Sequence, residues 1–148
     1  MAYEYLKADL FIAPGKMFAH GCNAYGVMGA GIARTIKNRF PNVYQTYREH
    51  YLDKGLNPGD VVPSYMAETE EDERIMLNLI TQVEPGPNAQ FEFLLEAMQN
   101  AVDYCAKLGE EHLSIPAIGC GIGGLDLLDL DQVLYELDTE VMVHVFVP

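Results

Sequence analysis

The sequence predicts an α/β protein, built as a three-layer α/β/α sandwich around a mixed, mainly parallel central sheet. Strand-like and helix-like segments alternate along the 148 residues, which is the pattern of such sandwiches. The segment from Ile75 to Val83 is an almost continuous apolar run, typical of a strand buried on both faces. No repeat, linker or low-complexity segment divides the chain, so we expect one domain covering residues 1–148.

The first third of the chain starts with two predicted strands. Tyr3 to Lys7 has an alternating pattern, and Lys16 to Asn23 is largely apolar. A glycine-containing loop follows, and after it a helix from about Ala30 to Phe40. Pro41 ends that helix and suits the first turn of a second one, which Gly55 ends.

The rest of the chain supplies the other elements of the sandwich. Apolar residues recur at helical spacing from Phe91 to Leu108 and give the clearest amphipathic helix. We interpret the charge run from Glu68 to Glu73 as an exposed loop. The remaining predicted elements are strands at Val61 to Met66, Ile75 to Val83, His112 to Ile118 and Val141 to Val147, and a helix at Asp126 to Leu137 that Asp126 or Asp129 would cap.

Composition and charge exclude several functional classes. A hydrophobic content of 49% argues against disorder, and no apolar run is long enough to span a bilayer. The net charge of −13, from nine basic and 22 acidic residues, would repel nucleic acid and anionic membranes. We therefore expect a cytoplasmic monomer that binds neither.

The cysteines and histidines are interpreted as structural. Cys22, Cys105 and Cys120 are an odd number without metal-site spacing, which favours buried thiols in a reducing compartment. The four histidines show no close paired spacing for a metal, and His20 within its strand is typical of a satisfied core residue. We expect no metal and no cofactor.

Two glycine-rich loops carry the functional signal. The first runs from Gly21 to Ala33 with glycines at 26, 29 and 31, and the second runs from Ile115 to Leu125. Each follows an apolar strand, and the first opens a helix, an arrangement that leaves backbone N–H groups available for phosphate. Either loop alone is equally consistent with a tight turn. Together they suggest two walls around an extended anionic ligand, held by amides because basic residues are scarce.

Other phosphate-site motifs fit less well. Gly119, Gly121 and Gly124 satisfy the dinucleotide fingerprint, but only one strand remains after them, so no second βαβ half can form. The P-loop pattern is absent. The cysteine-phosphatase motif is a cysteine, five residues and then an arginine. Here that last position is Asp126 after Cys120 and Met28 after Cys22, so neither cysteine fits the motif.

With these motifs the chain resembles the macro-domain family, which binds ADP-ribose. The matching pieces are Ala8-Asp9-Leu10, Asn23 with the stretch from Met28 to Ala33, and the stretch from Ile118 to Gly124. The resemblance implies that Asp9 accepts from the adenine amino group, that Leu10, Phe11 and Phe146 lie against the adenine, and that Asn23 contacts the distal ribose. The ligand-binding residues it implies are Asp9, Leu10, Phe11, Asn23, Tyr25, Met28, Gly29, Ala30, Gly31, Ile32, Gln82, Ile118, Gly119, Cys120, Gly121, Ile122, Gly123, Gly124 and Phe146.

The chain looks most like the branch with ADP-ribose 1''-phosphate phosphatases, terminal ADP-ribose glycohydrolases and DNA ADP-ribosyl glycohydrolases. Gln82 stands where the glycohydrolases carry a catalytic lysine, and Gly123 stands where one subgroup carries an aspartate. The resemblance therefore implies a phosphatase acting on ADP-ribose 1''-phosphate. Asn23 and Gln82 would position the distal ribose and a water, and Asp126 would be the general base if it points into the cleft. Its alternative role is the helix cap.

Two other functions stay open at this stage. One is a non-catalytic reader of free or protein-linked ADP-ribose, and the other is a hydrolase of ADP-ribosyl esters or O-acetyl-ADP-ribose. The partners implied are ADP-ribose or ADP-ribose 1''-phosphate, and for a reader an ADP-ribosylated protein.

Overall fold

The computed structural model describes residues 3–67, 69 and 71–148. Within these residues the chain forms six strands and four helices, with one turn of 3-10 helix at Leu10–Ile12. The strands are β1 (Tyr3–Lys7), β2 (Met17–Asn23), β3 (Val61–Tyr65), β4 (Ile75–Gln82), β5 (His112–Pro116) and β6 (Met142–Val147), and the helices are α1 (Gly31–Arg39), α2 (Pro41–Lys54), α3 (Phe91–Lys107) and α4 (Leu127–Glu136).

The sheet is mixed and mainly parallel, as predicted. Its strand order is β1-β6-β5-β2-β4-β3. In the described chain, β3 runs antiparallel to its neighbour β4, and every other strand pair is parallel. The chain moves from β2 outward to β3 and β4, then crosses back to β5 on the other side of β2. The carboxyl end of β2 is therefore the topological switch point, where open α/β sheets bind ligands.

Two apolar cores confirm the three-layer arrangement. One core, on the side of α3 and α4, contains Met98, Val133 and Val143. The other, on the side of α1 and α2, contains Phe18, Ile36 and Tyr47. Strand β4, which lies between β2 and β3, contributes to both, since Leu77 and Leu79 join the first core and Met76 and Ile80 the second. The continuous apolar run in the sequence therefore reflects burial on both faces.

The observed ends of the elements differ from the predicted ones by one or two residues. The largest functional consequence is at β5, which ends at Pro116 instead of Ile118. The Ile118 amide turns back to the Pro116 carbonyl at 2.8 Å, so Ala117 and Ile118 belong to the second glycine loop. In the predicted charged loop, Glu68 and Glu70 lie outside the described residues.

A buried polar network holds β2, β3 and β4 in register. His20 is fully buried, as predicted for a core histidine, and its Nε2 lies 2.7 Å from Oδ1 of Asn78. Asn78 in turn donates through Nδ2 to the Val62 carbonyl at 2.9 Å and to the Ser64 hydroxyl at 3.2 Å. Since Oδ1 of Asn78 only accepts, Nε2 of His20 carries the proton, and Cys22 Sγ at 3.4 Å cannot pass its own proton to that nitrogen. The arrangement is structural and does not activate the thiol.

Among the other titratable groups, one cysteine departs from the sequence interpretation, and two histidines lie in contact. Cys22 and Cys105 are buried, but Cys120 is partly exposed, so the prediction of buried thiols fails there. His112 and His144 meet across β5 and β6, with Nδ1 of His112 2.9 Å from Nε2 of His144. Strand adjacency, which sequence spacing does not reveal, creates this pair. Among the described residues, no group of three or more His, Cys, Asp or Glu side chains is placed to hold a metal ion.

No helix in the described part of the chain is both long enough and apolar enough to cross a bilayer.

His20 should make the stability of the fold depend on pH. Burial lowers the pKa of His20 to about 4, although its hydrogen bond to Asn78 acts in the opposite direction. Above the unfolded pKa, near 6.5, His20 is neutral in both states and its neutral form is fully compatible with folding. Below that unfolded pKa, His20 binds a proton in the unfolded chain but not in the folded chain. The free energy of unfolding should then fall by about 1.4 kcal/mol per pH unit until pH approaches 4, or ~3 kcal/mol in all.

Urea unfolding between these pH values measures this effect against His20→Gln, which keeps an amide donor toward Asn78 but does not titrate. The variant should lose that part of the pH dependence. Equal slopes in the two proteins would contradict the assignment.

Candidate functional site

A cavity of about 580 Å³ opens at the carboxyl ends of β2, β4 and β5. This volume lies within the range of small-molecule sites. The two glycine loops form opposite walls, and the segment after β4 forms a third. Its lining residues are Gly21, Cys22, Asn23, Val27, Met28, Gly29, Ala30, Gly31, Ile32, Ala33, Thr81, Gln82, Pro85, Gly86, Pro116, Ala117, Ile118, Gly119, Gly121, Ile122 and Gly123.

The two glycine loops touch each other across the cavity. A Cβ built on Gly31 would lie 2.9 Å from Cδ1 of Ile122, a contact too close for any other residue without movement. Gly31 also has a φ of +60°, which favours glycine independently of the space. The loops therefore stand close enough for one ligand to contact them together.

The first loop presents a row of unpaired backbone donors. Helix α1 has Ala30 at its N-cap and no side chain bonded to its first amides. Among the described residues, no hydrogen-bond acceptor is recorded for the amides of residues 28–33, all of which line the cavity. Such open amides at a helix N-terminus, together with the helix dipole, attract an anion.

The second loop adds donors from the opposite wall. Its chain is held by internal bonds, such as that from the Leu125 amide to the Gly119 carbonyl at 2.8 Å. Within the described chain, the amides of Gly119, Gly121, Ile122 and Gly123 have no recorded partner and line the cavity. Ten residues from the two loops, whose amides have no recorded partner in the described chain, thus line one cavity.

The walls carry almost no ionisable side chain. Among the described residues, those lining the cavity include no Asp, Glu, His, Lys or Arg. Cys22 is the titratable residue of the lining, and burial raises its pKa far above the ordinary range. The polar groups of the site are therefore uncharged, namely backbone groups and the side chains of Asn23, Thr81 and Gln82.

Asn23, a predicted ligand-binding and catalytic residue, lines the cavity and organises the first loop. Its Oδ1 accepts from the amides of Tyr25 at 3.0 Å and Val27 at 3.4 Å, and its Nδ2 donates to the Val27 carbonyl at 2.9 Å. The hydroxyl of Tyr47, from α2, donates to the Asn23 carbonyl at 2.6 Å. The Asn23 side chain therefore shapes the loop from which the open amides project.

Gln82, the second predicted catalytic residue, has a comparable role on the third wall. It stands opposite Asn23 where β2 and β4 end, beside an irregularity in the pairing after Cys22. Its Nε2 donates to the carbonyls of Glu84 at 2.6 Å and Gly86 at 2.8 Å. The amide nitrogen thus fixes the loop after β4, and only Oε1 is left to meet a ligand.

Asp126 takes its alternative role as a helix cap. Its carboxylate accepts from the Asp129 amide at 2.9 Å, and the Asp129 carboxylate accepts from the Asp126 amide at 3.1 Å. This reciprocal capping box starts α4, and Asp126 is not part of the cavity lining. The condition for its acting as a general base, that it points into the cleft, is not met.

The residues predicted for the adenine end lie outside the cavity lining but beside it. Leu10 and Phe146 belong to the same apolar core as Cys22 and Met28, which line the cavity. The Asp9 carboxylate accepts from the Phe11 amide at 2.9 Å and so caps the short 3-10 helix. Tyr25, Cys120 and Gly124 also lie outside the lining, although they belong to its loops.

Sequence reasoning missed part of the third wall and its support. Thr81, Pro85, Gly86, Pro116 and Ala117 line the cavity but were not predicted. Pro116 ends β5 and Ala117 follows it, so the strand end was a signal for these two, whereas Pro85 and Gly86 lie three and four positions beyond the end of β4. Tyr47 supports this site from α2, and its position in the sequence gave no sign of its bond to Asn23.

A second cavity of about 540 Å³ lies at the opposite ends of β2 and β4. Its polar walls include Lys16 and Glu73, which pair with each other at 2.9 Å, as well as Asp72. Asp72 is bound to Arg74, whose hydrogen bonds hold the pKa of that carboxyl below its usual range. Glu110, the other charged residue of its lining, has no recorded ion pair in the described chain, but a carboxylate would repel an anion, so this cavity offers no comparable set of open donors.

Comparison with known proteins gives one family. A family model described as Macro domain matches residues 19–134. An ADP-ribose 1''-phosphate phosphatase of Scheffersomyces stipitis is 26% identical, with 96% of this chain and 98% of that protein aligned. The human ADP-ribose glycohydrolase OARD1 is 29% identical, with 96% of this chain and 89% of that protein aligned.

Solved structures show the same fold. The macrodomain of Mycobacterium tuberculosis DarG matches with a TM-score of 0.85 and 22% identity, covering 99% of this chain and 97% of that one. The macrodomain of Thermus aquaticus DarG matches with a TM-score of 0.82 and 24% identity, covering 99% and 98%. Thermosipho africanus DarTG, solved in complex with ADP-ribose, matches with a TM-score of 0.83 and 24% identity, and 42% of that chain is covered.

Replacement of Asn23 should damage the first loop more than the rest of the fold. Asn23→Ala removes an acceptor for two amides and a donor to Val27, which should lower the free energy of unfolding by about 1–3 kcal/mol. Hydrogen exchange should speed up across residues 24–33. Asn42→Ala, which removes one exposed hydrogen bond from Asn42 to the Tyr65 carbonyl, is the matched control. Unchanged exchange in the first loop of Asn23→Ala would refute this role.

Proposed function

The chain belongs to the macro domain family, and we propose that it binds ADP-ribose in the cavity between the two glycine loops, with the diphosphate held by backbone amides. The observation that carries this proposal is the convergence of ten amides, without a recorded partner in the described chain, on a cavity without charged side chains. A diphosphate can accept from donors on two sides at once. Among the described residues, the walls contain no carboxylate that would compete with the diphosphate for the amides and no amine that would neutralise its charge.

The apolar part of the lining suits the rest of such a ligand. The cavity continues toward Met28 and Cys22, which share a core with Leu10 and Phe146. We place the adenine at this side, where Asp9 and Phe11 lie on the short 3-10 helix. The distal ribose would then lie toward Asn23 and Gln82, which stand opposite each other at the ends of β2 and β4.

For the reaction, we propose hydrolysis of ADP-ribose 1''-phosphate. The phosphatase of Scheffersomyces stipitis aligns with nearly the whole chain, and the position of the glycohydrolase lysine is occupied here by Gln82. A glutamine cannot form the covalent intermediate that an activated lysine can. The chain's own contribution would be to position the substrate and to stabilise negative charge with amides, because no wall side chain is suited to move a proton. Turnover should accordingly be slow.

A second function, binding without catalysis, is favoured by one specific observation. Among the described residues the lining holds no carboxylate, histidine or lysine, and Asp126 caps α4. A module that only recognises ADP-ribose would need none of these groups. The two functions share the binding site and differ in turnover.

The binding proposal predicts a selective loss in Gly123→Ala. A Cβ at Gly123 would lie 2.7 Å from the Gly119 carbonyl oxygen and 3.0 Å from Cβ of Ala89, so the second loop must shift. Calorimetry should show that the wild-type protein prefers ADP-ribose to AMP and NAD, and that the variant binds ADP-ribose at least about tenfold more weakly.

Gly15→Ala is the control, because a Cβ there meets nothing within 4 Å. It should bind like the wild type. Wild-type affinity in Gly123→Ala, with the loop shift verified by NMR, would exclude the second loop as a phosphate clamp.

The reaction proposal predicts phosphate release whose pH profile follows the substrate. No described side chain of the lining is suited to ionise between pH 5 and pH 9, whereas a phosphate monoester loses its second proton near pH 6. The measured rate should therefore change around that pH, and titration of a protein side chain should cause no further change in the rate. Gly123→Ala is the background control for this assay. If the wild-type protein binds ADP-ribose tightly but releases no phosphate, only the binding function remains.

A further inference from the structure

The hydroxyl of Thr81 is a polar group of the cavity that holds no part of the protein in place. Thr81 is the last residue but one of β4, lines the cavity and is only 1% exposed. In the described chain, the side-chain hydrogen bonds of β4 are made by Asn78 and Gln82, and none is recorded for Thr81. Nearly complete burial of an unpaired hydroxyl is unusual, because such a group loses its bonds to water.

The Thr81 hydroxyl oxygen meets the cavity. Among the described side chains, no nitrogen or oxygen that is closed off from solvent lacks a hydrogen-bond partner. A hydroxyl without a recorded partner must then account for part of the small exposed surface of Thr81. Since Thr81 lines the cavity, a molecule in that space is what the hydroxyl can bond to.

Gly21 keeps open the space in front of this hydroxyl. A Cβ built on Gly21 would lie 3.1 Å from Oγ1 of Thr81 and 3.1 Å from Cγ2 of Ile118. The φ of Gly21 lies outside the left-handed region, so its backbone conformation does not require glycine. The surroundings of its Cα do, because a side chain there would press on both neighbours. The cavity floor at this point therefore consists of bare backbone, one hydroxyl and one methyl group.

This floor lies in the half of the cavity where we place the distal ribose. Thr81 directly precedes Gln82, and Gly21 lies two residues before Asn23. In the strand order, β5 and β2 separate β4 from β6, the strand that carries Phe146 on the adenine side. The Thr81 hydroxyl is therefore remote from the adenine and close to the distal half of the ligand.

The chemistry of the hydroxyl suits an oxygen-rich ligand. Gln82 uses its Nε2 for the carbonyls of Glu84 and Gly86, and Asn23 uses its Nδ2 for the Val27 carbonyl. No such bond ties the hydroxyl of Thr81 to a loop in the described chain. A threonine hydroxyl rotates freely and can donate one hydrogen bond while it accepts others. Donation to an anionic oxygen is stronger than donation to a neutral one.

We propose that the Thr81 hydroxyl donates a hydrogen bond to an oxygen in the distal half of ADP-ribose, the second phosphate with its ribose, over the bare backbone of Gly21. AMP lacks this half and cannot form the bond, so Thr81 contributes to the selection of ADP-ribose over AMP. The inference rests on the proposed function for the identity of the ligand. It adds one side-chain determinant to a site otherwise formed by backbone amides.

The test compares Thr81→Val, which keeps the shape of the side chain but removes the hydroxyl, with Thr81→Ser, which keeps the hydroxyl. Calorimetry with ADP-ribose should show about tenfold or more weaker binding in Thr81→Val, because a hydrogen bond to a charged oxygen is lost. NMR titration should show a similar loss for ribose 5-phosphate and an unchanged affinity for AMP. Thr81→Ser should bind all three ligands nearly as the wild type does.

Gly21→Ala tests the space over the floor. The added methyl group should weaken ADP-ribose binding, and its combination with Thr81→Val should weaken binding by less than the product of the two separate factors, because both changes remove the same contact. Thr46→Val makes the same chemical change on α2, outside the cavity lining, and should bind like the wild type.

Wild-type ADP-ribose affinity in Thr81→Val would overturn this inference and leave the proposed function standing. An equal loss for AMP and ADP-ribose, or a loss in Thr81→Ser as large as in Thr81→Val, would also overturn it, since neither result depends on a hydroxyl in the distal half of the site. Absence of ADP-ribose binding in the wild type would instead refute the proposed function, and this inference with it.

Discussion

The structure depends on leaving hydrogen-bond donors unpaired at one place while satisfying them elsewhere. Buried or half-buried amides without acceptors are costly, and folded proteins contain few of them. Here the amides without a recorded partner in the described chain belong to residues that line a single cavity at the carboxyl end of β2, where Gly29, Gly31 and Gly121 are exposed, so that water can satisfy their amides until a ligand replaces it. The side chains that would ordinarily do chemistry at a site, those of Asn23 and Gln82, instead hold the loops in the shape that leaves the amides open. A ligand with several anionic oxygens completes this arrangement.

This division of roles explains how so acidic a protein can bind an anion. The net charge of −13 acts over the whole surface, but salt screens it beyond about 10 Å at moderate ionic strength. Inside the cavity the fixed dipoles of the amides act at contact distance, where screening is weak.

Much of the fold was predictable because its signals are local. Three signals depend only on neighbouring residues, and each predicted an observed element: the apolar run of β4, the helical periodicity of α3, and the helix boundaries at Pro41 and Gly55. The glycines at 29, 31, 121 and 123 pointed to the walls of the site for the same reason. Roles that depend on distant contacts were harder to predict: the bond from Tyr47 to Asn23, the pairing of His112 with His144, and the exposure of Cys120 follow from which elements happen to be adjacent.

Periodicity, turn chemistry and composition were enough to predict the order of the elements, the two glycine loops and a site without basic side chains. Only the tertiary structure decided what the polar side chains do. Asn23 and Gln82 form their bonds within their own loops, and Asp126 forms a capping box. Tyr3 and Tyr5 share the Asp131 carboxylate across 126 or more positions of chain. The physical reason is that a hydrogen bond is set by distances of about 3 Å between atoms, which only the packed sheet and helices establish.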